Sequence, residues 1–285
     1  MIRIGFHVSI AGSVANAPKF AEGNGFGAFQ IFTTSARAWR NSDIKEIDSL
    51  EFIKRTQNFK LVAFAHMPYI CNLASYDDII YEKSKTMLIN NIKNCEKLDI
   101  DYLVLHLGSH LGKGVDYGIE RICNIMPKVL EYESKVNLLL ENSAGYRNSV
   151  GSNFSELGKI VETLNSDRIG VCFDTCHAFA SGYDIRTEKG VDSAVEEFTS
   201  QIGVSKLKLV HLNDAKYPLK SGLDRHWHIG KGYIRRQGFV ELFKNRLFQR
   251  GSFIMETPSD VLGMADRRNY KEVKKIIKEA TGIAL

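Results

Sequence analysis

Val136-Asn-Leu-Leu-Leu-Glu141 is a short, almost unbroken apolar run that stops on a carboxylate. It is far too short for the ~20 residues needed to cross a bilayer. A run without polar alternation belongs to a strand covered on both faces. An amphipathic stretch precedes it at Gly118–Glu133 and another follows at Phe154–Leu164, so the run reads as a strand between helices. The same unit recurs in both directions. Runs at Ile2–Val8, Gly27–Phe32, Lys60–Ala65, Tyr102–His106, Ile169–Asp174, Leu207–Leu212 and Ser252–Glu256 complete the set of strands. Helix-like segments lie between or after them at Ala15–Glu22, Asp43–Thr56, Asp77–Leu98, Val191–Ile202, Arg236–Phe243 and Tyr270–Ala280. Eight strand–helix units predict a parallel sheet closed into a (β/α)8 TIM barrel, a single domain over residues 1–285. A doubly wound open sheet is the alternative, but no GxGxxG follows the first strand to support its best-known nucleotide-binding form.

Composition narrows the class further. With 44% hydrophobic and 25% charged residues among 285, the chain can bury a sizeable core, which excludes intrinsic disorder. Only 5 prolines and no Gly/Ser tract leave no linker. The N-terminal Met1-Ile-Arg-Ile-Gly-Phe-His7 reads as a strand with a polar end, not as a signal peptide, so a cytoplasmic protein with no membrane attachment is expected. The 5 cysteines (Cys71, Cys95, Cys123, Cys172 and Cys176) show no CxxC spacing, which argues against a disulfide framework and fits a reducing compartment; Cys172 and Cys176, in an apolar stretch, read as buried thiols. A net charge of +5 tolerates a polyanionic partner without demanding one.

The strand ends carry the chemistry. The first run reaches His7, the third leads into His66, the fourth ends at His106, the fifth at Glu141 and the sixth at Asp174. The seventh contains His211 and the eighth ends at Glu256; only the second, closing near Gln30 and Phe32, lacks a metal-type side chain. His, Asp and Glu fill about 14% of positions. Seven such ends in eight then arise by chance in roughly half a percent of cases, once boundary slack is allowed. In a barrel all these ends converge on one mouth. Imidazole and carboxylate arriving there from separate strands form an N/O cage suited to zinc or manganese.

His177, three residues after Asp174 in the loop expected there, joins the same mouth, as does Asp224-Arg-His226 in the long connection after the seventh run. An extended Asp-x-His segment puts both side chains on one side. His228 shares that side and His110 lies four residues past His106; for both, spacing alone leaves coordination and loop support open. Any one of these histidines alone reads equally well as a hydrogen-bonded core residue, but the set does not. These candidates are too many for one tetrahedral site and suggest two or three ions with bridging carboxylates. Clustered metals characterise phosphoester hydrolysis. The residues by themselves leave isomerase chemistry open.

At these residues the sequence resembles the endonuclease IV family of apurinic/apyrimidinic endonucleases, end to end. The matching stretches are Phe6-His-Val-Ser9, Leu140-Glu-Asn-Ser-Ala-Gly145, Val171-Cys-Phe-Asp-Thr-Cys-His-Ala-Phe-Ala-Ser-Gly-Tyr-Asp184, His211-Leu-Asn-Asp-Ala-Lys216, Asp224-Arg-His226 and Met255-Glu-Thr257. The resemblance implies a (β/α)8 barrel with three zinc ions, the second site open to manganese. It implies that His66, His106 and Glu141 hold the first ion, with Glu141 bridging to a second held also by Asp174, His211 and Glu256. His177, Asp224 and His226 would hold the third, and His7 would stand just behind the ligands. The implied reaction is attack of a zinc-generated hydroxide on phosphorus, with Glu256 helping to orient the nucleophile and no protein nucleophile or redox cofactor. The cut falls 5′ to an abasic site in double-stranded DNA and leaves a 3′-hydroxyl and a 5′-deoxyribose phosphate; the enzyme would act as a monomer.

Arg37, in Ala36-Arg-Ala-Trp39, and Tyr69-Ile70, in His66-Met-Pro-Tyr-Ile70, match the family's loops that enter the duplex. This chain departs from the common family form at Thr34, Ser35, Ala36 and Ala38, and carries Lys231 in Gly230-Lys-Gly232 where an acidic residue is usual. A sugar isomerase or epimerase on a similar barrel would account for the strand ends but not for His177, Asp224 and His226. A non-catalytic damage-binding protein would show degraded ligand motifs, and these are intact.

Overall fold

Eight parallel strands close on themselves. In the computed structural model, which describes residues 1–40, 44–258 and 264–285, the strands β1 (Ile2–His7), β2 (Ala28–Phe32), β3 (Val62–His66), β4 (Tyr102–His106), β5 (Asn137–Glu141), β6 (Ile169–Asp174) and β7 (Leu207–His211) stand in sequence order. Between β7 and the last barrel strand the chain makes a small antiparallel hairpin of β8 (Asp214–Ala215) and β9 (His226–Trp227). Strand β10 (Gly251–Met255) then pairs with both β7 and β1 and completes the ring. The barrel strands lie within two residues of the runs read from the sequence.

Helices cover the outside: α1 (Asn16–Gly23), α2 (Glu46–Asn58), α3 (Asp78–Lys97), α4 (Val115–Leu130), α5 (Phe154–Leu164), α6 (Thr175–Ser181), α7 (Glu188–Gln201), α8 (Arg235–Lys244) and α9 (Met264–Thr281). The expected start of α2 at Asp43 lies outside the described residues. Local chemistry sets several ends. Asp77 caps α3 by accepting from the backbone N–H groups of Ile79 and Ile80, and Asn153 caps α5 by accepting from Glu156. Asn165, left-handed at φ 36°, stops α5. The segment after β6 corrects the sequence reading: His177 lies not in a loop but in α6, which Asp174 caps through a 2.7 Å bond from His177 N–H.

Two apolar regions result. The larger lies between sheet and helices and includes Phe29, Ile31, Phe52, Leu88, Ile122, Phe154 and Phe198. The smaller fills the barrel itself with Ala28, Phe64, Val104, Leu139, Cys172, Leu209 and Ile254. Gly5 completes this inner layer, in register with Ala28 on one side and Ile254 on the other. A β-carbon there would lie 1.6 Å from the Ala28 carbonyl oxygen, so only glycine lets β1 and β2 approach this closely. Cys172 and Cys176 are fully buried, and burial pushes the Cys172 thiol up to about 12. Among the described residues, no helix is long and apolar enough to cross a membrane.

Candidate metal centre

The inner layer determines where the polar side chains fall. Two residues beyond Gly5, Ala28, Phe64, Val104, Leu139, Cys172, Leu209 and Ile254 stand His7, Gln30, His66, His106, Glu141, Asp174, His211 and Glu256. Residues two apart on a strand share a face. The apolar layer is therefore the floor of a polar cage, and the cage opens at the C-terminal mouth of the barrel.

Donor atoms converge in three sets, each within 4.8 Å of one another: His66, His106 and Glu141; Glu141, Asp174, His211 and Glu256; and Asp174, His177 and His226. The two oxygens of Glu141 face different partners. Its Oε2 lies 3.2 Å from His66 Nε2 and 3.1 Å from His106 Nε2, while its Oε1 lies 2.9 Å from His211 Nδ1. A carboxylate so placed can address two donor sets at once. In the third set, His177 Nε2 and His226 Nε2 are 3.4 Å apart, and Asp224 Oδ1 lies 3.1 Å and 3.4 Å from them. All nine sequence candidates thus meet at one mouth, with Asp174 shared between the second and third sets. The donors are all imidazole and carboxylate, the composition that suits zinc or manganese.

The histidines are also oriented. His66 Nδ1 faces the Met67 carbonyl at 2.7 Å, His177 Nδ1 the Asn142 carbonyl at 2.9 Å, and His226 Nδ1 the Glu256 carbonyl at 3.3 Å. Each ring donates through Nδ1 and presents Nε2 to the cage, the arrangement by which metal-binding histidines hold their tautomer. Asn213 donates to Asp174 Oδ2 at 2.7 Å and accepts from Glu256 N–H at 2.7 Å. Asp214, fully buried, accepts from the N–H groups of Ala215, Gly232 and Ile234, which ties down the connection that carries Asp224 and His226.

Opposed charges shift the buried groups. Burial pushes the Glu141 and Glu256 carboxyls up, but His211 and the other imidazoles outweigh it and hold both well below the usual carboxylate range. Burial pushes the His177 imidazole down, but Asp174 and Asp224 hold it well above its ordinary value. For His66, burial prevails and lowers it.

The other expected residues fall as follows. His7 Nδ1 lies 3.3 Å from Glu256 Oε1, just behind the donor sets. His110 accepts from Gly114 N–H at 2.9 Å in a loop, and His228 contacts Asn269, so neither belongs to the three sets. Arg37 is exposed in a turn after β2, and Ile70 is part-buried in a turn after β3. The two turns are joined by a bond from Tyr69 N–H to the Ala36 carbonyl, 3.1 Å. The Tyr69 ring, 49% exposed, lies 5.4 Å from that of His106 and overhangs the cage. Sequence reasoning missed Gln30, Asn142 and Asn213, none of which is a metal-type residue. Counting in steps of two from the inner layer would have found Gln30.

Residues 18–280 match the family described as the xylose isomerase-like TIM barrel, the class that fold and mouth together define. A protein from Nitrosopumilus maritimus (strain SCM1) named probable endonuclease 4 is 40% identical over 278 residues, covering 96% of this chain and 98% of its own. The crystal structure of endonuclease IV from Thermus thermophilus superposes with a TM-score of 0.87 at 32% identity, covering 98% of this chain and 100% of that one. The chain belongs to the endonuclease IV family. A D-tagatose 3-epimerase-like protein, 19% identical with a TM-score of 0.73, shares the barrel fold alone.

Proposed function

We propose that this protein is a DNA repair endonuclease that hydrolyses the phosphodiester bond 5′ to an abasic site in duplex DNA, leaving a 3′-hydroxyl and a 5′-deoxyribose phosphate. The observation that carries this reading is the divided orientation of Glu141 inside a cage of three convergent donor sets. Three zinc ions fit it. His66, His106 and Glu141 would hold the first, Glu141, Asp174, His211 and Glu256 the second, and His177, Asp224 and His226 the third. Zinc in such sites supplies Lewis acidity toward a phosphate and lowers the pKa of water toward ~7.

The chain's own groups do the rest. Glu141 and Glu256, held ionised by the imidazoles around them, are ready to bind cations without first losing protons. Glu256, at the rim and anchored through Gln30, is placed to orient the attacking water. The apolar layer keeps solvent from reaching the phosphate from below. Above it, Arg37, Tyr69 and Ile70 sit on two joined turns at the mouth, placed to enter a duplex where a base is missing. Such a nucleotide has little stacking to lose when it turns outward.

Incision of a duplex holding one tetrahydrofuran abasic analogue, assayed beside elemental analysis, tests the reading. Cleavage at the 5′ side, lost after prolonged chelation and restored by zinc, is expected. An intact duplex with fully loaded protein would refute it. In the same assay Arg37→Ala should weaken duplex binding about tenfold or more while single-turnover cleavage at saturation changes little, since ~1.4 kcal/mol of contact is tenfold in affinity. Unchanged affinity would remove Arg37 from the interface.

The pH dependence has a definite sign. In the metal-free protein, the contribution of Glu141 and Glu256 is present above their ordinary 4.5 and lost as pH falls through their depressed values. The His177 contribution is full below its ordinary 6.5 and lost as pH rises through its raised value. A bound cation needs the imidazole unprotonated, so its affinity grows with pH. Thermal melts between about pH 5 and about pH 8 should therefore show a zinc-induced stabilisation that widens as pH rises. A gap that narrows would contradict the donor set.

A further inference from the structure

We propose that Gln30 is a positioning residue of this centre: its side-chain amide selects the nitrogen that His211 presents to the cations and anchors Glu256 beside it. The inference rests on the metal centre proposed above and deepens it. Gln30 is completely buried at the middle of β2, the one barrel strand whose end carries no metal-type side chain. Its amide nitrogen donates to Glu256 Oε1 at 2.8 Å and lies 3.0 Å from His7 Nδ1, while its amide oxygen lies 2.8 Å from His211 Nε2.

These contacts admit one assignment of protons. An ionised carboxylate only accepts hydrogen bonds, so Glu256 requires the NH2 side of the amide. That leaves the amide oxygen facing His211, and an amide oxygen only accepts, so His211 Nε2 must carry a proton. The lone pair available to a cation is then on Nδ1, which lies 2.9 Å from Glu141 Oε1 and 3.3 Å from Glu256 Oε2. His66, His177 and His226 bond backbone carbonyls through Nδ1 and present Nε2. His211 is reversed, and Gln30 is the side chain that reverses it. One amide from the strand without a ligand thus sets two ligands on two other strands.

The test compares wild type with Gln30→Met, which keeps the length and fill of the side chain but cannot donate and accepts only weakly. Zinc affinity by chelator competition should fall roughly 10–100-fold for one ion of the set, the usual consequence of losing an outer partner of a ligand. The melting curve of the metal-free variant controls for folding, and the duplex affinity of the metal-free variant should stay near wild type. Equal zinc affinity in a folded variant would overturn the proposal. Wild type that holds no zinc would instead overturn the metal centre itself, so the two failures are distinct. Should Gln30→Met not fold, nitrogen-15 spectra of zinc-loaded wild type decide the matter. The His211 imidazole proton is expected on Nε2, protected from exchange; finding it on Nδ1 would overturn the proposal.

Discussion

Glu141→Gln is expected to lower kcat for abasic-site cleavage by at least ~10³-fold, a loss of about 4 kcal/mol of transition-state stabilisation, while duplex affinity stays within a few-fold. The reason is geometric. Oε2 faces His66 and His106, and Oε1 faces His211, so in the proposed centre the two oxygens would serve two adjacent cation positions. An amide keeps one acceptor oxygen and replaces the other with an NH2 group, which repels a cation. The substitution also removes a negative charge from a spot where five imidazoles and several carboxylates already balance closely. In the proposed reading, duplex binding falls to the outer turns around Arg37 and Tyr69, away from Glu141. Single-turnover cleavage, anisotropy with labelled duplex and zinc content by elemental analysis separate these quantities. Near-normal turnover would mean that Glu141 does not bridge.

Gly5→Ala is expected to unfold the protein or cost more than ~4 kcal/mol, in the range reserved for core disruption. The added carbon would lie 1.6 Å from the oxygen and 2.6 Å from the carbon of the Ala28 carbonyl. Both are backbone, so no rotamer change relieves the overlap. Relief requires β1 and β2 to part along Gly5–Ala28, Phe6–Phe29 and His7–Gln30, which opens the ring and shifts two residues of the cage with it. Gly23→Ala is the control, because a β-carbon there meets nothing within 4 Å. Thermal unfolding followed by circular dichroism should show the control near wild type. A Gly5→Ala protein that melts normally would show that the strands have room this packing denies them.

Much of the architecture was legible because a parallel barrel buries both faces of every strand. Val136–Glu141 and Tyr102–His106 therefore read as nearly continuous apolar runs, and their polar ends stand out against them. What escaped was short or chemically quiet. Helix α6 has seven residues, too few for an apolar period, and its signal is the capping Asp174, which in the sequence reads only as a strand end. The β8–β9 hairpin pairs only two residues on each side and brings His226 to the mouth through contacts that no periodicity encodes. Gln30 escaped because an amide is not a metal-type side chain, so nothing marks the end of its strand as part of a metal centre. Asp174 joins the third donor set as well as the second because it caps α6, the helix that carries His177.

The apolar layer beneath the cage has a consequence for traffic. Phe64, Val104, Leu139, Leu209 and their neighbours close the barrel from below, so ions, water, substrate and product must all use the same doorway. In the proposed reading, a duplex seated over that doorway becomes its lid. Chelators should then strip the free enzyme quickly and the DNA-bound enzyme slowly, making the substrate itself the guardian of the proposed metal centre.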